Sequence, residues 1–117
     1  MLIENAIIKK ARLTASEYSG LSAWLELDLG SSLCQSFGPY IIYSTNVENG
    51  VQNIFAGVFI KRCLDIVDAN DWSQMVGKPI RIKNDKHNGI IREIGHIVND
   101  DWFNPVDEMN QLCKGVE

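Results

Sequence analysis

The sequence predicts an α+β domain: a mainly antiparallel sheet of about five strands in the order β-β-β-α-β-β, with one amphipathic helix packed on it. From Leu21 to Leu29, Leu21, Ala23, Leu25, Leu27 and Leu29 alternate with Ser22, Trp24, Glu26 and Asp28, the period of a strand with one buried face. Further on, Phe55, Phe59, Cys63 and Ile66 recur at spacings of four, four and three, with Lys61, Arg62, Asp65 and Asp68 opposite, which is the stripe of a helix covering a sheet. Asn88-Gly89 then separates two Ile-rich runs, as in a hairpin.

The remaining elements follow in order. Leu2 to Leu13 is rich in Ile and is expected to pair with the second strand across the polar turn Ser16 to Gly20. Gly30-Ser31-Ser32 ends that strand, and Gly38-Pro39 turns the chain into a third, Tyr40 to Tyr43. After the helix, Asp71 and Gln74 resemble a capping box; Gly77 and Pro79 end a short helical segment over Asp71 to Val76. Pro79 to Asn84 and Ile90 to Val98 supply the last two strands. The expected division is a compact domain over residues 1–105 and an acidic C-terminal tail over 106–117.

Composition narrows the function. The longest apolar run, Ile54 to Ile60, is far shorter than the roughly 20 residues a membrane helix needs. The opening MLIENAIIKK has its lysines after the apolar residues, so no secretory leader is expected and the cytoplasm is the expected compartment. The 117 residues carry 11 Lys+Arg against 15 Asp+Glu, a net charge of −4, which disfavours coating a duplex backbone. Charge is polarised, however. Lys78, Arg81, Lys83, Lys86 and Arg92 face only Asp85, while Glu93 to Glu117 holds six acids and one base, Lys114.

Catalytic and metal chemistry find little support. Cys34, Cys63 and Cys113 are widely spaced, with only His87 and His96 to complete a metal site. Cys34 with His96 as base lacks an orienting third group, so no catalytic residue, metal or cofactor is expected. An anion site has more support: Arg81 and Lys83 share a strand face, and a hairpin brings Arg92 near them. The loop Gly30 to Gly38 can add backbone N–H donors. Trp102-Phe103 and His96 read first as packing residues and second as ligand contacts.

Five blocks of sequence carry a resemblance: Leu21-Ser22-Ala23-Trp24-Leu25-x-Leu27-Asp28-x-Gly30; Gln35-Ser36-Phe37-Gly38-Pro39-Tyr40; Gly57-x-Phe59-Ile60-x-Arg62; Trp72-x-x-Met75-Val76-Gly77-Lys78-x-Ile80-Arg81; and Ile94-Gly95-His96-Ile97-x-x-Asp100-x-Trp102-Phe103-x-Pro105. In order and spacing they resemble a family of small phage and prophage proteins, itself similar to a Thoeris anti-defence sponge family. The resemblance implies a non-catalytic homo-oligomer in the host cytoplasm that sequesters a cyclic nucleotide immune signal, of the cyclic ADP-ribose type or a cyclic oligonucleotide. Gln35, Phe37, Arg62, Arg81, His96, Trp102 and Phe103 of these blocks, with Arg92 of the hairpin, are the expected ligand contacts. The alternative is an anti-CRISPR or other protein–protein inhibitor of a host defence complex. It would use the acids from Asp100 to Glu108 to mimic nucleic acid.

Overall fold

The computed structural model describes residues 2–16, 20–30, 34–44, 51–84 and 90–116. Its elements are β1 (Leu2–Ser16), β2 (Gly20–Asp28), β3 (Cys34–Tyr43), α1 (Val51–Val67), a 3-10 turn (Trp72–Gln74), β4 (Pro79–Asn84), β5 (Ile90–Ile91), β6 (Glu93–Gly95), β7 (Trp102–Phe103) and α2 (Pro105–Val116). This is the expected α+β class with a mainly antiparallel sheet.

Strand β1 serves two neighbours. Its first half pairs antiparallel with β4, from Leu2↔Asn84 to Ile7↔Pro79, and its second half pairs antiparallel with β2, ending at Ser16↔Gly20. The register with β2 shifts between Ile8 and Lys10, and a bulge there bends the strand from one partner to the other.

The sheet order β5-β3-β2-β1-β4-β6-β7 places β5 and β6 far apart, yet Arg92 alone separates them in sequence. β5 pairs in parallel with β3 (Ser36↔Ile90, Phe37↔Ile91), and β6 pairs antiparallel with β4 (Ile82↔Ile94). One short stretch therefore links one edge strand, β5, to β6, the strand next to the other edge, and curls the sheet into a Greek-key barrel. With α1 between the third and fourth strands, this is the connectivity of an OB-type barrel.

Ile90 to Val98 is thus two short strands rather than the single expected one, because Ile90–Ile91 and Glu93–Gly95 take different partners. The third strand begins at Cys34, well before Tyr40, which replaces most of the expected Gly30 to Gly38 loop with strand. The Asn88-Gly89 turn, and Ser31 and Ser32, lie outside the described residues.

Inside the barrel, Ala6, Ile8, Ala23, Leu25, Leu27, Phe37, Ile42, Ile80, Ile82, Ile91 and Ile94 meet Phe55, Phe59, Cys63, Ile66 and Val67 of α1. Phe37 stacks on Phe59 at 6.1 Å between ring centroids, and Phe103 meets Phe59 edge-on at 5.4 Å. Burial pushes the Cys63 thiol well above its ordinary value, so it stays protonated and inert.

The expected acidic tail is instead the helix α2. Asn104 caps it, its Oδ1 accepting from the Asp107 N–H at 3.2 Å; Pro105 fits the first helical position, where its missing N–H costs nothing. Asp107 and Glu108 in the first turn and Lys114 in the last complement the helix dipole, and Met109 and Leu112 pack against the core.

Candidate functional site

The expected ligand residues separate into three groups. Phe37 and Phe103 are fully buried in the aromatic core and have no face open to a ligand. Their role here is packing.

The second group is engaged within the protein. Arg62 donates from Nε to Glu108 at 3.2 Å, from Nη1 to Asp101 at 3.1 Å, and from Nη2 to the Trp102 carbonyl at 2.7 Å. Burial works against its charge, but the Glu108 and Asp101 carboxylates more than offset this and hold the guanidinium protonated. Arg81 donates from Nε to the His96 carbonyl at 2.7 Å and from Nη2 to the Asn99 carbonyl at 2.8 Å. Lys83 pairs with Glu93 at 2.9 Å.

Arg81 and Lys83 also lie 5.0 and 4.5 Å from the Trp102 ring centroid. That ring lies against Gly95, where a Cβ would come within 2.5 Å of it. Trp102 and Gly95 face each other in the β6–β7 ladder, so the ring fills the space that glycine leaves.

His96 is buried as well. Its Nδ1 accepts from the N–H groups of Val98 and Asn99 at 3.0 and 2.9 Å, which leaves the proton on Nε2 to be donated to Asp68 at 2.6 Å. Both nitrogens are used in tying the β6–β7 turn to the end of α1. Cys34, its imagined nucleophilic partner, is exposed and has the Lys9 amine 3.7 Å from Sγ.

Arg92 and Gln35 form the third group. Gln35 is half-buried on β3, and its Oε1 is without a hydrogen-bond partner among the described residues. Arg92 is exposed at the β5–β6 junction and makes no hydrogen bond or ion pair among the described residues. It borders a cleft of about 480 Å³ walled by Gly38, Pro39 and Tyr40 on one side and Asn104, Val106 and Asp107 on the other. Gly38 enters this wall at φ +98°, with space for a Cβ closed by the Ala23 carbonyl at 2.8 Å. The Tyr40 phenol is held above its ordinary value by burial, against the pull of the neighbouring Arg92 charge, so it stands beside Arg92 as a neutral donor.

The three hairpin cations therefore do not converge: Arg81 and Lys83 gather on Trp102, and Arg92 stands alone at the cleft. Tyr40, Asn104 and Val106 are cleft residues outside the expected set; adjacency to Gly38-Pro39 and to Pro105 within two of the sequence blocks was their available signal. Among the described residues no group of three His, Cys, Asp or Glu side chains is arranged to hold a metal ion, and no helix is long and apolar enough to cross a membrane. Comparison with protein-family models, curated proteins and solved structures finds no match.

Proposed function

We propose that the protein is a phage-encoded, non-catalytic counter-defence protein that sequesters a cyclic nucleotide immune signal in the host cytoplasm, taking the phosphate at Arg92. The observation that carries this reading is an exposed arginine with no protein partner among the described residues, set at a cleft whose walls are Gly38–Tyr40 and Asn104–Asp107. The cleft volume of about 480 Å³ suits a small ligand, for which sites run to about 300–1,000 Å³. Arg92 offers the forked donors that phosphate oxygens accept, and the Tyr40 hydroxyl adds a neutral donor. Asp107 borders the same cleft, so an anion is favoured at the Arg92 end.

The protein–protein inhibitor reading has less support. Of its acids, Asp101 and Glu108 are neutralised by Arg62, and Asp100 accepts the Trp102 indole N–H at 3.1 Å. Homo-oligomerisation belongs to the sponge reading. Its support is the exposed Ile3 and Ile7 of β1. Light scattering is expected to give a multiple of 13.2 kDa, and a monomer mass at micromolar concentration would remove that part of the reading.

Incubating purified protein with a panel of cyclic nucleotides, re-isolating it, heating it and analysing the released material tests the function. Unchanged cyclic nucleotide is the expected product. Recovery of none, or of a linearised product in proportion to protein, would overturn the reading.

A further inference from the structure

A second recess opens beside the Arg92 cleft, between β3, α1 and α2. Ile42, Phe55 and Phe59, each no more than 3% exposed, form its floor. Ile41 and Val106, 58% and 55% exposed, stand at its rim, and the half-buried Met109 completes the wall. Tyr40 and Val106 line both spaces, so the two adjoin along that pair of side chains. Among the described lining residues only Tyr40 and Asn110 carry a polar side chain. The recess measures about 180 Å³, against the roughly 150 Å³ of a cavity that holds benzene. Three aromatic rings meet in it: Tyr40 lies 5.6 Å from Phe59 at 54°, and Phe55 lies 6.3 Å from Phe59 at 76°. A further ring among them finds both edges and faces to pack on, and the flexible Met109 thioether adapts to either.

We propose that the ligand of Arg92 is a phosphate ester carrying an aromatic ring, and that the ring lies in this recess; in a nucleotide that ring is the base. The inference rests on the function proposed above for the anion and adds the place of the ring. Charge complementarity orients such a ligand. Arg92 draws the phosphate to the cleft, and no charged residue among those described lines the recess to meet it there, so burying the phosphate in the recess would go uncompensated. The ring instead covers the apolar surface that Ile41 and Val106 hold open to water. Tyr40 stands at the junction. Its ring belongs to the recess, and its hydroxyl, without a hydrogen-bond partner among the described residues, is free to donate to a phosphate oxygen. The exposed Asn110 amide offers a donor and an acceptor to the edge of the ring. The first turn of α2 is held by the Arg62–Glu108 pair at 3.2 Å, so this wall is in place before a ligand arrives and little ordering is left to offset binding.

The test follows the methyl resonances of the full chain by NMR during titration with phenyl phosphate and with methyl phosphate, which lacks the ring. Ring currents displace nearby methyl signals, so phenyl phosphate is expected to move those of Ile41 and Met109 and to leave that of Ile3, on β1, in place. Burial of the phenyl group is expected to make phenyl phosphate bind about 10- to 100-fold tighter than methyl phosphate. Arg92→Ala is expected to weaken both by about 10- to 150-fold. Ile41→Asn puts an amide at the exposed rim and is expected to cost phenyl phosphate about 5- to 20-fold and methyl phosphate nothing. If Ile41→Asn does not fold, the comparison of the two phosphates on the unaltered chain still decides. Methyl signals that stay in place up to millimolar phenyl phosphate overturn the proposal. So do equal affinities for the two phosphates; where Arg92→Ala abolishes that shared affinity, the Arg92 reading survives and the ring's placement alone fails. Phenyl phosphate that binds Arg92→Ala as tightly as the wild type, still moving the methyl signals, overturns the proposal at its other end: the anion does not sit at Arg92, and the function proposed above fails with it.

Discussion

Arg62 on α1 and Glu108 on α2 form an ion pair at 3.2 Å that fastens the C-terminal helix to the helix inside the barrel mouth. The same guanidinium holds Asp101 and the Trp102 carbonyl, and its carbon lies 5.3 Å from the Phe103 ring centroid. Three chain segments thus meet at one half-buried side chain: α1, the stretch from Asp101 to Phe103, and α2. Arg62→Ala leaves two carboxylates and a carbonyl without their donor, which is expected to cost about 1–3 kcal/mol. Calorimetry should register this as a Tm lower by about 5–15 °C. Arg62→Lys is expected to recover only part of it, since an ammonium cannot serve three acceptors in one plane.

Gly95 is constrained by Trp102 and not by its own backbone. Gly95→Ala puts a methyl group 2.5 Å from the indole and is expected to destabilise by about 1–3 kcal/mol, with a changed near-ultraviolet dichroism from the displaced ring. In the Trp102→Ala background the same change is expected to cost little, and a double-mutant cycle by urea denaturation measures the difference. Equal costs in both backgrounds would mean that the contact does not limit this position.

Tyr40 gives the stability a pH dependence of known sign. Its folded-state pKa lies above the ordinary 10.0 because burial disfavours the phenolate, so its contribution is fully present below about pH 10 and is lost as pH rises through the folded value. Other groups titrate there too, so the informative quantity is the difference from Tyr40→Phe. That difference is expected to be flat below about pH 10 and to turn against the wild type above it, in urea midpoints measured across that range.

Arg92→Ala removes a charge-assisted hydrogen bond from the ligand and is expected to weaken cyclic nucleotide affinity about 10- to 150-fold. As an exposed residue it should change stability by no more than about 0.5 kcal/mol. Asp107→Asn removes the opposing charge from the cleft and is expected to tighten binding of the same nucleotide. Calorimetric titration of both variants decides: normal affinity in Arg92→Ala denies the phosphate role.

Much of the fold was legible in local pattern. The alternation around Leu25 and the stripe from Phe55 to Ile66 locate β2 and α1 because each has one buried face, and burial is what periodicity records. Closure of the barrel left no such mark. Ile90 and Ile91 are adjacent apolar residues that fit one long strand as well as two short ones; their pairing with Ser36 and Phe37 is a long-range choice. The cap and first turn of α2 were visible in Asn104, Pro105, Asp107 and Glu108, but their charge reads as an acidic tail.

For the candidate site, alternation correctly put Arg81 and Lys83 on one face. It carried no sign that Trp102 would fold back through β7 to occupy both, or that the strand break would turn Arg92 toward Tyr40 instead.

The two-residue strand that pairs with β3 at Ser36 and Phe37 also sets a timetable for biosynthesis. Ser36 leaves the ribosome about fifty residues before its partner Ile90, an interval of roughly 3–11 s at ordinary translation rates. Through that interval the nascent β3 keeps an open hydrogen-bonding edge, and release factors or a stalled ribosome that cut synthesis short before Ile90 would leave it open permanently. Prematurely terminated chains should therefore aggregate or recruit chaperones, while the finished chain does neither.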